Sequence, residues 1–267
     1  MNKKDKKFVQ QFYSRAGACI REHAMIEDGD KLMVGVSGGK DSLALLKTLA
    51  GRQPFSDKHY TLKAVFVDIM EIPYKTDIAW MQQFCDALDV PLHVERISVD
   101  FSKTNNQSTC FYCSWHRRKT LFKLGKSMDA NKIALGHHRD DALETMMLNM
   151  VSHGTLSSMP GNLPMFGGSV NLIRPLLNHT DKQTIEFARI MDFPLSNKPC
   201  PHENNTRRIQ IREMLQSIEK QFPGARKNMF KAMSQIYLDY LPSFHKEQVI
   251  IRDNRILKAL GNTENKE

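Results

Sequence analysis

Cysteine is scarce in this chain, with five in 267 residues. Five thiols are too few to staple a small extracellular fold, so a disulfide framework is excluded and a reducing compartment is expected. Long apolar runs are missing too, and no stretch reaches membrane-spanning length. The opening MNKKDKKFVQQF has no apolar segment of the kind a secretory leader carries. The expected location is therefore the cytoplasm, with no membrane among the partners. Internal repeats and low-complexity blocks are absent. Acidic residues are in the minority: 29 Asp and Glu against 38 Lys and Arg, a net charge of +9. Such a balance favours polyanionic partners through long-range attraction. HRRK (116–119), TRRIQIR (206–212) and ARKNMFK (225–231) concentrate the positive charge.

What is present is an alternation of apolar runs and helical patterns. The spacing predicts strands over Lys31–Ser37, Leu62–Ile69, Leu92–Val99 and Lys132–His138. It predicts helices over Lys7–Ala24, Asp41–Leu49, Thr76–Leu88, Cys113–Met128, Asp140–His153 and Thr180–Met191. Strands apolar on both faces and separated by helices form a mostly parallel sheet covered on two sides. The expected fold is doubly wound α/β. Strand signals cease after about Pro199, where two helical patterns follow, Thr206–Gln221 and Ala225–Tyr240. The expected division is an α/β domain over 1–199 and a basic helical region over 200–267.

The first strand runs into Ser37-Gly38-Gly39-Lys40-Asp41-Ser42. Paired glycines let backbone N–H groups approach an anion, and the following helix adds its positive end. Ser37, Ser42 and Lys40 add donors. The turn reads as a phosphate cradle, though neither GxxxxGK[ST] nor GxGxxG is present. Asp41 would repel bare phosphate, so a bridging divalent cation, Mg²⁺, is expected with it. Asp68 closes the second strand. The fourth ends in GHHRDDALET, where Gly136 leaves room for close approach and Asp140 and Asp141 open a helix.

SGGKDS resembles the signature of PP-loop ATP pyrophosphatases, and GHHRDDALET resembles their second signature. The resemblance implies an adenine-nucleotide α-hydrolase-like fold and cleavage of ATP between the α and β phosphates. It further implies adenylation of a carbonyl-type oxygen and displacement of AMP by a nucleophile. By the same analogy Ser37 to Ser42, Asp68, Gly136, His137 and Asp141 contact ATP or its metal. Arg174, in IRPLL (173–177), lies near phosphates or substrate.

Cys19 and Cys85 fall on apolar helical patterns and read as core thiols. Cys110, Cys113 and Cys200 lie in polar, turn-rich surroundings. A C-x₂-C turn can aim two sulfurs at one ion. Four uses compete on the residues alone. They are zinc with His116 or His202 as fourth ligand, an iron–sulfur cluster with one open iron, thiol–disulfide exchange, and no shared role. The run CFYCSWHRR with the later Cys200 is similar to the tRNA 2-thiocytidine synthetase (TtcA-type) family. LSSMPGNLP, MDFPL and EN…RR…MLQSIEKQFPG also match it, in order, from about Phe8 to Tyr240.

That resemblance implies a [4Fe–4S] cluster on Cys110, Cys113 and Cys200, with sulfur delivered to C2 of an anticodon-loop cytidine. Asp41 and the three cysteines are then the catalytic set. Arg117, Arg118, Arg174, Arg207, Arg208, Arg212 and Lys231 are candidate tRNA contacts. A cysteine desulfurase and a small reductant are implied partners, and assembly as a homodimer stays open. Many family members carry a second C-x₂-C where only Cys200 stands here. Two other classes remain: another PP-loop ATP pyrophosphatase, for tRNA uridine thiolation or amide formation, with a zinc or redox cysteine site, and a nucleic-acid-binding module without catalysis.

Overall fold

The alternation of side chains along the first strand sets the layers of the protein. The computed structural model describes residues 1–72, 76–103, 109–194, 207–237 and 240. In it β1 (Asp30–Val36) sends Leu32, Val34 and Val36 to one face of a sheet and Met33 to the other. Beside β1 lie β2 (Tyr60–Ile69) and β4 (Lys132–Ala134), with β3 (Leu92–Ile97) beyond β2 and β6 (Val170–Ile173) beyond β4. These five run parallel, and β5 (Asn162–Met165) closes the edge antiparallel to β6, giving the order β3-β2-β1-β4-β6-β5.

One face is covered by α1 (Lys3–Glu22), α2 (Lys40–Arg52), α3 (Ile78–Asp86) and α6 (Asp181–Ile190), through Phe12, Leu46, Met81 and Phe187. The other face receives Leu121 and Phe122 of α4 (Thr109–Ser127) against Met33, Val65 and Ile133. Burial on both faces is the physical reason these strands read as continuous apolar runs. The expected doubly wound, mostly parallel α/β fold is the fold observed. Cys19 and Cys85 are fully buried, as their apolar settings predict.

A third apolar cluster joins α5 (Arg139–His153) to α7 (Arg207–Gln221) and α8 (Ala225–Ala232) through Leu143, Met146, Ile211 and Leu215, with Met229 and Phe230 packed against them. The helical end is therefore seated on α5. Residues 199 and 200, the expected boundary, lie outside the described residues.

Several expected bounds are corrected. The fourth strand stops at Ala134, four residues before His138, because the chain must leave the sheet to cap α5. Helix α4 begins at Thr109, so Cys110 and Cys113 sit on its first turn and not in a turn before it. Helix α8 ends at Ala232, well short of Tyr240. Strands β5 and β6 have four residues each and are joined through Phe166, Gly167 and Gly168, all at positive φ. Such short strands carry too few residues for a period to register. Pro164 is tolerated in β5 because that strand is at the sheet edge. Among the described residues no helix is long and apolar enough to cross a membrane.

Candidate active site

The glycine turn between β1 and α2 sits at the carboxyl end of the central strand, where ligands of such sheets bind. Gly38 has φ +78°, and a Cβ there would collide with Thr76, so only glycine fits. The serines hold the turn's shape. The Ser42 hydroxyl accepts from the Ser37 N–H at 3.0 Å and donates to the Gly39 carbonyl at 2.9 Å. The Gly39 N–H reaches Ser37 Oγ at 3.3 Å. The Ser42 hydroxyl, expected to face phosphate, is thus spent inside the turn.

Lys40 does not point away from its neighbour. Its ammonium lies 2.8 Å from Asp41 Oδ2 and 2.8 Å from Asp181 Oδ1, the first residue of α6. His138 completes the group, with Nε2 3.5 Å from Asp181 and 3.8 Å from Asp41. Asp41, His138 and Asp181 each offer a ligand atom within 4.8 Å of the others. Two carboxylates suit Mg²⁺, which takes one or two of them together with substrate phosphates. A cationic group already seated between them, the Lys40 ammonium, marks the position as one that attracts positive charge. Burial alone would lower the His138 pKa, but Asp181, Asp141 and Asp41 outweigh it and raise it. Hydrogen bonds from His138 and Lys40 hold the Asp181 carboxyl well below its ordinary range.

His138 is also the N-cap of α5. The Asp141 N–H reaches His138 Nδ1 at 3.4 Å, and the Asp141 carboxylate accepts from the His138 N–H at 2.9 Å. Asp141, expected to touch nucleotide or metal, is therefore the return arm of a capping box, with its pKa raised by burial. Asp140, next to it, accepts from the Asp181 N–H at 2.6 Å and pairs with Arg226 at 2.7 Å. It thereby locks α5, α6 and α8 around the site. At Gly136 a Cβ would lie 2.8 Å from the Asp41 carbonyl and 2.9 Å from the Ser42 nitrogen, so the backbone of α2 requires glycine there.

The next strand ends carry positive charge. Arg174 is 7% exposed, follows β6 and donates to the Pro160 carbonyl at 2.5 Å. Burial and Arg118 push its guanidinium down to about 10. His137 is pushed down to about 3 by burial and by Arg174, Arg208 and Arg118 together, so it stays neutral. Arg118 lies on α4, five residues past Cys113, so the cysteine-bearing helix reaches this part of the site. Cys110 and Cys113, three apart on its first turn, share one helical face, which suits joint ligation of one metal centre. Cys200 and His202 lie outside the described residues.

The PP-loop domain family model matches residues 2–218 of the chain. A tRNA-cytidine(32) 2-sulfurtransferase of Aliivibrio salmonicida is 36% identical over 90% of this chain and 79% of its own length. That of Paracidovorax citrulli is 36% identical over 96% and 82%. The chain belongs to the tRNA-cytidine 2-sulfurtransferase branch of the PP-loop family. A U34-tRNA thiolase of Methanococcus maripaludis, solved with its [4Fe–4S] cluster, superposes with a TM-score of 0.71. It is 19% identical and covers 91% of this chain and 82% of its own, a likeness of fold.

Within this PP-loop enzyme the remaining expected contacts divide into two sets. Arg207, Arg208 and Lys231 are exposed. Arg212, expected to face RNA, gives two nitrogens to the buried Glu144 at 2.7 and 3.2 Å. Asp68 has Arg96 of the adjacent strand 3.7 Å away. Sequence reasoning missed Asp181 and the edge of His138 that faces it and Asp41. The one available signal was Thr180-Asp181-Lys182-Gln183, a capping-box pattern that puts an acid at the first position of α6.

Proposed function

We propose that the protein thiolates tRNA: it adenylates the C2 carbonyl oxygen of an anticodon-loop cytidine with ATP and exchanges that oxygen for sulfur. The phosphates of ATP lie over Gly38, Gly39 and Lys40 at the start of α2, with the nucleoside toward Asp68. Mg²⁺, held by Asp41 and Asp181 beside His138, would neutralise pyrophosphate charge when bound. With a divalent cation held by those carboxylates, the Lys40 ammonium would be free to face the phosphates, where it would stabilise the leaving charge. Attack of the cytidine oxygen on the α-phosphorus releases pyrophosphate. In the second step a C2–S bond forms, the C2–O bond breaks, and AMP departs with the oxygen.

Cys110, Cys113 and Cys200 would hold a [4Fe–4S] cluster, which supplies the sulfur atom when bound. A cysteine desulfurase is the sulfur source in this reading, and a small reductant supplies electrons. Arg117, Arg118, Arg174, Arg207, Arg208 and Lys231 draw in the tRNA backbone, with the half-exposed Arg212 beside them. The unit 1–199 carries ATP chemistry, and 200–267 adds basic surface. The location is the cytoplasm, and a homodimer is compatible with all of this.

The observation that supports the reading most directly is the meeting of Lys40, Asp41, His138 and Asp181 at the PP-loop turn. The test is reconstitution with tRNA, ATP and sulfide under anaerobic conditions, followed by mass spectrometry of the nucleosides. Formation of 2-thiocytidine with matching AMP is expected. AMP without 2-thiocytidine would refute it.

A further inference from the structure

Asp140 and Glu144 stand four apart on α5, so they share one helical face, and each takes an arginine from the helical end of the chain. The two pairs differ in the use of the second carboxylate oxygen. Glu144 gives both oxygens to Arg212 of α7. Asp140 gives Oδ1 to Arg226 Nη2 of α8 at 2.7 Å and Oδ2 to the Asp181 N–H at 2.6 Å. That N–H is one of the donors a helix start leaves without an intrahelical acceptor. The capping box of α6 occupies the N–H groups of Thr180 and Gln183 and leaves that of Asp181 to Asp140. Beyond it the Asp181 carboxylate meets Lys40 at 2.8 Å and His138 at 3.5 Å. A continuous run of contacts thus leads from α8 to the PP-loop turn.

We infer that Arg226 is a positioning residue for the cation site at the PP-loop turn: through Asp140 it holds the first residue of α6, and with it the Asp181 carboxylate, within reach of Asp41. The inference rests on the reading that Asp41 and Asp181 hold a divalent cation, and it needs neither RNA nor sulfur transfer. Arg226 is itself fixed. Glu219 of α7 accepts from the N–H groups of Gly224 and Arg226 at 2.9 and 2.8 Å, which sets the start of α8 against α7. Asp140 is 6% exposed, so without Arg226 it would be a buried charge lacking its partner. It would turn aside or take up a proton, and either change weakens its grip on the Asp181 N–H. One basic residue of the 225–231 segment therefore serves the cation site, while Lys231 stays exposed.

The experiment titrates Mn²⁺ into the full chain, read by electron paramagnetic resonance, and follows AMP formation with tRNA over a Mg²⁺ series. Charge and position predict opposite signs. Arg226→Gln deletes a positive charge close to a cation site, so electrostatics alone would tighten Mn²⁺ binding. Lost positioning should weaken it about tenfold, as with other partners that orient metal ligands. The Mg²⁺ concentration for half-maximal AMP formation should rise by a similar factor, while the rate at saturating Mg²⁺ changes far less. Arg226→Lys keeps a cation facing Asp140 and should recover most of the affinity. In an Asp181→Asn background, Arg226→Gln should add little further loss. Leu215→Ala loosens the apolar seat of α7 on α5 and leaves the Asp140 pair in place. It should lower the urea midpoint with Mn²⁺ affinity unchanged. Tighter or unchanged Mn²⁺ binding in Arg226→Gln would overturn the inference, as would an equal loss of affinity in Leu215→Ala. A wild-type chain that binds no Mn²⁺ would overturn it together with the cation site. If Mn²⁺ binding responds as described but no 2-thiocytidine forms, the positioning role stands and the thiolation reading falls.

Discussion

Lys40 Nζ and Asp181 Oδ1 lie 2.8 Å apart, although 141 positions of chain separate them (181 − 40). The contact joins the first turn of α2 to the first residue of α6 and puts Asp181 at the PP-loop turn. Asp181→Asn should weaken divalent-cation binding on the order of tenfold to a hundredfold. Electron paramagnetic resonance of Mn²⁺ titrated into the protein measures this without turnover. Unchanged Mn²⁺ affinity would remove Asp181 from the site.

The same carboxylate acts on His138, whose pKa is raised above its ordinary 6.5. In Asp181→Asn the His138 pKa, followed by NMR, should fall. The sign of the stability effect follows from both partners. His138 is raised, so its contribution is full below about 6.5 and is lost as pH rises through the raised value. Asp181 is lowered from 3.8, so its contribution is full above that value and is lost as pH falls. The stability difference between wild type and Asp181→Asn should therefore be largest between these limits. A difference that grows steadily above pH 7 would contradict the pairing.

Gly136→Ala should destabilise the protein by about 1–3 kcal/mol and slow AMP formation. The added Cβ meets backbone atoms of Asp41 and Ser42, which cannot rotate aside. Urea unfolding and an ATP-to-AMP assay would check the two effects. Full stability with full activity would show that β4 and α2 are not held as closely as described.

Arg212→Ala leaves Glu144, 3% exposed, without its bidentate partner. A loss of about 1–3 kcal/mol is expected, and Glu144→Ala in the same chain should recover part of it. If the single variant unfolds like wild type but binds RNA more weakly, Arg212 belongs to the RNA surface after all.

Cys110→Ala and Cys113→Ala should each abolish thiolation while ATP binding survives, because the PP-loop sits on a different strand end. Burial pushes the Cys19 and Cys85 thiols up to about 11, which keeps them protonated and poor ligands. Their alanine variants should change stability alone. Iron and acid-labile sulfide, assayed after anaerobic purification, should approach about four of each per chain, as a [4Fe–4S] site requires. Stoichiometric zinc without labile sulfide in an active protein would sink the cluster.

The sequence by itself determined what local chemistry dictates. Two-sided apolar strands between helices specify a covered parallel sheet, because no other arrangement buries both faces. The Ser37–Ser42 turn announces a phosphate site, because paired glycines and a helix start have one common use. The apolar settings of Cys19 and Cys85 set them apart from Cys110 and Cys113. Tertiary structure alone decided which side chains meet. Asp181 joins Lys40 because β6 lies beside β4, so α6 starts beside the PP-loop. Gly136 makes room for the backbone of α2, and Asp141 closes the α5 cap, through neighbours their spacing does not disclose. Among the described residues Arg208 has no carboxylate partner, while Arg212, one helical turn on, meets Glu144. Pairing energy falls with distance in space, and separation along the chain does not record that distance.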